Sequence, residues 1–123
     1  MRRFLFLPRQ VLACLSLLLM LMACDSEEQP PKDIIEEDKM AAILADIHLA
    51  ESRVSRLQLQ SLDSSALVFN QLQKQIWAKH KVDTLRYKES YAFYTTHPQY
   101  MTRIYEKVLK NIEAREKKNN IKL

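Results

Sequence analysis

The chain contains no glycine, and that absence narrows its possible folds more than any motif does. Glycine supplies left-handed backbone in tight hairpins and lets a loop approach a ligand closely. Phosphate-cradling loops, the dinucleotide fingerprint and the nucleophile elbow all depend on it. A glycine-free sequence rich in Leu, Ala, Lys, Glu and Gln instead predicts helices. The expected fold class is all-α, a small antiparallel bundle of about four helices after a cleaved signal peptide and a short tether. No reaction can be read from the residues, so the chain is expected not to be an enzyme and to carry no cofactor.

The first residues carry a different signal. Arg2, Arg3 and Arg9 make a positive start, and Val11 to Ala23 is an apolar run interrupted only by Ser16. A bilayer-spanning helix needs about 20 apolar residues, so this run has the length of a signal-peptide core. It ends in Leu21-Met22-Ala23-Cys24, which resembles the lipobox cut by bacterial lipoprotein signal peptidase. Val11-Leu12-Ala13-Cys14 competes, but Pro8 and Arg9 leave it almost no apolar core upstream. Residues 1–23 are therefore expected to be removed and Cys24 to be lipidated. Cys14 would leave with the signal, and the mature chain would hold no free thiol for a disulfide, a nucleophile or a zinc site. Two or more acyl chains suffice for stable anchoring without a membrane-crossing helix.

Charge excludes another class. Of 19 basic and 15 acidic side chains, three basic ones fall in the signal, so the remainder is near neutral. The basic footprint of a nucleic-acid-binding domain is missing, and no nucleic-acid partner is expected. Residues 24–33 include Asp25-Ser26-Glu27-Glu28 and Pro30-Pro31, which reads as a flexible acidic tether. An acidic patch after a lipidated cysteine also resembles the signal that sends Bacteroidota lipoproteins to the outer surface; a solvated spacer is the other reading.

Residues 34–123 read as one helical domain. Met40, Ile43, Ile47, Ala50, Val54 and Leu57 recur at gaps of three and four, predicting a first helix over about 35–60. Asp63 or Ser64 is a candidate cap for a second helix ending near His80, with Ala66, Phe69, Leu72 and Ile76 inward and Trp77 beside them. Asp83 or Thr84 can cap a third through Thr96. His97-Pro98 breaks it, since proline disfavours helix at the residue before it yet suits the first position of a new one. The fourth helix carries Met101, Ile104, Tyr105, Val108, Leu109 and Ile112. The polar end from Glu113 is expected to project or fray.

Two blocks are familiar. Lys39-Met40-Ala41-Ala42-Ile43-Leu44-Ala45-Asp46-Ile47-His48-Leu49-Ala50-Glu51 resembles the opening of a family of small Bacteroidota lipoproteins catalogued as domain of unknown function 4296. The run from Tyr87 through Ser90, Phe93, Tyr94 and His97-Pro98 to Ile104, Tyr105 and Val108 resembles its later block. The resemblance spans roughly 34–112. It implies an envelope location and a helical fold, and brings no activity with it.

Three groups of residues are candidate sites. His48 and Glu51 sit three apart on one helix and can point at one spot, and His97 joins them as a third ligand if the first and third helices pack together. One such pair falls short of the paired Glu-x-x-His sets of di-metal bundles, and a solvated pair is the plainer reading. Tyr87, Tyr91, Phe93, Tyr94, Tyr100 and Tyr105 cannot all face inward; Tyr91, Tyr94 and Tyr105 are assigned to the core, and Tyr87, Phe93 and Tyr100 to possible partner contacts. Lys79, His80 and Lys81 form a small basic knot, expected to be a solvated helix end. Together these features predict a non-enzymatic accessory module in the cell envelope, more on the outer than the inner membrane. It would be held by the lipid on Cys24 and would meet an envelope protein partner. The alternative is a metal- or small-ligand-binding lipoprotein.

Overall fold

A computed structural model describes residues 28–119. The signal segment, Cys24, the start of the tether and residues 120–123 lie outside the described residues. Four helices follow one another: α1 (Glu37–Arg56), α2 (Leu62–His80), α3 (Thr84–Thr95) and α4 (Pro98–Asn119). No strand occurs among the described residues, and none of the described helices is long and apolar enough to cross a membrane.

Local chemistry sets the boundaries. α1 stops before the expected residue 60 because Gln58 turns left-handed, with φ of 45°. α2 starts earlier than expected: Ser61, not Asp63 or Ser64, is its cap and accepts from the Ser64 amide at 3.1 Å. Asp83 caps α3 by accepting from the Arg86 amide at 2.8 Å. Pro98 opens α4 as its sequence position predicts. The polar end is helical through Asn119 rather than frayed, because Arg115 turns back onto Asp46 of α1.

The order of contacts fixes the direction of each helix. Glu37 meets Arg103 and Lys107 while Asp46 meets Arg115, so α1 and α4 run the same way. Asp46 also meets Lys79 and His80 at the end of α2, so α2 runs against α1. Tyr94 and Phe93 approach Tyr100 across the α3–α4 joint, which makes that pair antiparallel. The expected bundle is thus present, with antiparallel packing in α1–α2 and α3–α4. It follows that α2 and α3 run in roughly the same direction, as one arm broken at 81–83. Lys81, with φ of 50°, makes the break, and Val82 is buried beneath it.

α1 is the centre. Met40, Ala41, Ile43, Leu44, Ala45, Ile47 and Ala50 are all buried, a wider face than the single predicted stripe. Ala41 and Ala45 are small enough to let neighbours close in on the flanks. Ile104 and Val108 cover α1 from α4, and Ile76 and Val82 from the α2 end. The predicted stripes hold in part: Phe69, Leu72 and Trp77 pack on the core half-buried, while Ala66, Leu57 and Leu109 are exposed.

The chain entering α1 is not free. Ile35, only 1% exposed, precedes the helix, so its peptide groups need partners from elsewhere. Arg86, Ser90 and Tyr94, four apart on one face of α3, supply them. The Ile35 amide donates to Ser90 Oγ at 2.9 Å, the Tyr94 hydroxyl donates to the Ile35 carbonyl at 2.6 Å, and Arg86 Nε donates to the Asp33 carbonyl at 3.1 Å. Farther out, Tyr100 donates to the Glu28 carbonyl at 2.9 Å. The expectation of an unpacked tether up to Asp33 is therefore corrected from Glu28 onward, where side chains of α3 and α4 hold the backbone as a strap.

Removing either partner of Ile35 leaves a buried peptide group unsatisfied, at roughly 1–3 kcal/mol each. Ser90→Ala and Tyr94→Phe are each expected to lower unfolding free energy by about that amount in urea titrations. A loss below about 0.5 kcal/mol for both, within the range of a neutral surface substitution, would contradict the clamp.

Candidate functional site

Every helix contributes a ring to one surface. Trp77 of α2 lies 4.6 Å, centroid to centroid, from Tyr87 of α3, and Tyr87 stacks at 5.9 Å on Tyr91. Tyr105 of α4 lies close enough to Tyr91 for the two phenols to influence each other. Tyr105 lies 6.0 Å from the His48 ring of α1, and His48 Nδ1 is 3.0 Å from Glu51. The track runs from half-buried to exposed. Burial first, then the neighbouring Tyr91, raises the Tyr87 phenol to about 12. Tyr105 is raised as well, by burial first and then by Tyr91 and Glu51. Both phenols are neutral at physiological pH, so the track offers ring surface and hydroxyl tips rather than charge.

This arrangement reverses part of the sequence assignment. Tyr91 and Tyr105, assigned to the core, are 36% and 38% exposed, whereas Tyr100, assigned to partner contact, is 4% exposed. Helix geometry explains both. The inward direction of α3 is set by Ser90 and Tyr94, and Tyr91 lies about 60° round from Tyr94 at roughly 100° per residue. Tyr100 is covered because the strap passes over it and takes its hydroxyl. Tyr87 and Phe93 are both half-buried, but only Tyr87 joins the track. Phe93 belongs to a second assembly at the α3–α4 joint, stacked under His97 at 4.1 Å and near Tyr94 and Tyr100. Arg103 lies 4.6 Å over the Tyr100 ring on the far side of that assembly.

The three proposed metal ligands are not brought together. His48 and Glu51 pair with each other, while His97 Nε2 is 3.1 Å from the Glu28 carboxylate on the strap. His97 sits at the start of α4 and its Nδ1 is 2.7 Å from the Phe93 carbonyl, which fixes the ring away from α1. Among the described residues no group of three His, Cys, Asp or Glu side chains is placed to hold a metal ion.

Sequence reasoning passed over Asp46. Its carboxylate, 11% exposed, receives Lys79, His80 and Arg115 from two other helices. Burial alone would raise its pKa, but hydrogen bonds from His80, Lys79 and Arg115 outweigh burial and hold it below the ordinary value. His80, 12% exposed, is therefore an inward-turned tie rather than part of a solvated helix end; Lys79 reaches Asp46 from an exposed position, and Lys81 is exposed as well. The visible signal was an aspartate inside an otherwise apolar block, Ala45-Asp46-Ile47.

These observations describe a small four-helix domain centred on α1, with an aromatic surface shared by all four helices. A family model described as Domain of unknown function (DUF4296) matches residues 31–118, and the chain belongs to that family. Both familiar blocks, 39–51 and 87–108, fall inside the matched range. No curated protein and no solved structure matches the chain.

The strap carries a titration that can be read directly. The His97 pKa is raised above 6.5, first by the Phe93 carbonyl and then by the Glu28 carboxylate. Protonated His97 therefore favours the docked strap: its contribution is complete below 6.5 and lost as pH rises through the folded value. An NMR titration is expected to give a His97 midpoint above 6.5, moving down toward it in Glu28→Gln. An unshifted midpoint in the parent protein would contradict the contact.

Proposed function

We propose that this chain is a lipid-tethered, non-enzymatic interaction module of the cell envelope, an accessory subunit or adaptor that presents its helical domain to a protein partner. One observation carries the proposal, the aromatic track with its exposed outer members Tyr91 and Tyr105. Tyrosine suits contact surfaces because a large apolar ring and a hydroxyl tip lie on one stiff side chain. Rings backed by Trp77 and Tyr87 are held in place before any partner arrives, which reduces the ordering entropy of binding.

The apolar run before Leu21-Met22-Ala23-Cys24 supports the tether. Anchoring on Cys24 would confine the domain near a membrane, and confinement raises the effective concentration for a partner in that same membrane. The outer membrane is the favoured site. The domain's own chemistry is recognition, and the process it serves is that of the partner.

The test is crosslinking in cells at native expression, followed by detergent extraction and mass spectrometry. A stoichiometric envelope protein is expected with the parent chain. Tyr91→Ala with Tyr105→Ala should cut its recovery about tenfold or more, the scale of an aromatic hot spot, while the melting temperature moves little. Recovery of the tagged protein alone would refute the reading. Cys24→Ser is expected to leave the precursor uncleaved, and normal processing of that variant would refute the tether.

A further inference from the structure

A second surface lies on the other side of α1. Leu49 of α1, Leu57 just past its end, Val68, Leu72 and Ile76 of α2, and Ile112 of α4 line an open groove of about 690 Å³. On a helical wheel its α1 residues lie roughly 170° from His48 and Glu51, so it is separate from the aromatic track. The groove exists because of the break at 81–83. α3 leaves α2 there and covers only the lower part of the bundle, and the apolar stripe of α4 ends at Ile112. The upper part of the α1–α2 hairpin thus has an apolar seam on which no further helix is laid among the described residues.

Shape and charge specify an occupant. The lining runs from Asp46 along α1 to Leu57 at its C-terminal cap, and from Val68 to Lys79 on α2, about 16 Å or three helical turns on each. A helix of three turns, apolar at i, i+3 or i+4, and i+7, matches such a seam. Arg53 and Arg56 stand on its rim, and among the described residues neither pairs with a carboxylate; Arg56 reaches only Ser52. Lys79 and Arg115 are already committed to Asp46. Glu116 of α4 also lines the groove, so the charge asymmetry favours an acidic flank on the α1 side of the incoming helix, where Arg53 and Arg56 stand. A second copy of this chain docking by the same face would set groove against groove and leave the apolar seam unfilled. A bilayer surface is flat and does not enter a recess between helices.

We propose that the groove docks an amphipathic helix of a partner protein, about three turns long, with aspartates or glutamates along the flank that meets Arg53 and Arg56. The inference rests on the domain being an interaction module, and it assigns a contact separate from the aromatic track.

A photo-crosslinking amino acid placed at Leu57, which is 55% exposed, in the full-length protein at native expression tests it. The crosslinked peptide is identified by mass spectrometry. The expected product is a peptide from another protein with apolar residues at helical spacing and acidic residues on one flank. Its yield should fall at least tenfold with Arg53→Glu and Arg56→Glu together, with unchanged helical circular dichroism. No crosslink, a lipid adduct, a peptide from this chain itself, or a yield indifferent to charge reversal would each overturn the proposal. Should an envelope partner still co-purify through Tyr91 and Tyr105, only the groove inference falls; recovery of no partner removes both.

Discussion

The peptide group of Ile35 enters the core ahead of the first helical turn of α1, and water cannot serve it there. Its two hydrogen bonds come from Ser90 and Tyr94, residues four apart and therefore on one face of α3. That arrangement ties the beginning of the domain to a segment more than fifty residues later in the chain. It sets the rotation of α3, since Ser90 and Tyr94 must both look at Ile35. The rotation of α3 in turn sends Tyr91 outward and places Tyr87 beneath Trp77. The aromatic surface is thus a consequence of how one buried peptide is satisfied.

Charges on α1 complete the ordering. Glu37 near its start holds Arg103 and Lys107, and Asp46, about one turn before the last buried alanine, Ala50, holds Arg115. Apolar packing alone would tolerate sliding between α1 and α4, while two acids with separate basic partners select one register and one direction. Glu37 is held below the ordinary carboxylate range by its Arg103 hydrogen bond first, against the opposing effect of burial. Asp46 is depressed in the same sense. Lowered carboxylates stabilise the fold above their ordinary pKa and lose that contribution as pH falls through the folded value, so acid loosens the α1–α4 register before it touches the apolar core.

Much of this was legible in the sequence, and the limits have physical causes. Periodicity predicted four helices because an apolar stripe at 3.6-residue spacing is a local property; Pro98 and Asp83 marked boundaries because their effects are local as well. The missing glycine correctly argued for helices, yet the chain still needed left-handed turns and used Gln58 and Lys81 for them. Direction was hidden, since the break at 81–83 reads as an ordinary turn and only Asp46 and Glu37, paired across the fold, reveal that α2 and α3 run together. The exchange between Tyr100 and Tyr91 escaped for the same reason. Tyr100 is buried by a strap some seventy residues away, and helical spacing within α3 and α4 carries no record of it. His97 was separated from His48 by that strap too, through Glu28.

The strap also sets how the domain would stand on a surface. Three residues, Asp25 to Glu27, separate Cys24 from Glu28, and even fully extended the four Cα–Cα steps span only about 14 Å. Glu28 is pinned beside Tyr100 and His97 at the α3–α4 corner. Under the proposed anchoring at Cys24, that corner is held close to the headgroups, and the far end of α1 lies roughly 30 Å along the helix from it, over its 20 residues. Such a short leash restricts swivel as well as height. The open seam between α1 and α2 would then lie toward the end of the domain farther from the anchor, within reach of a neighbouring protein's soluble domain.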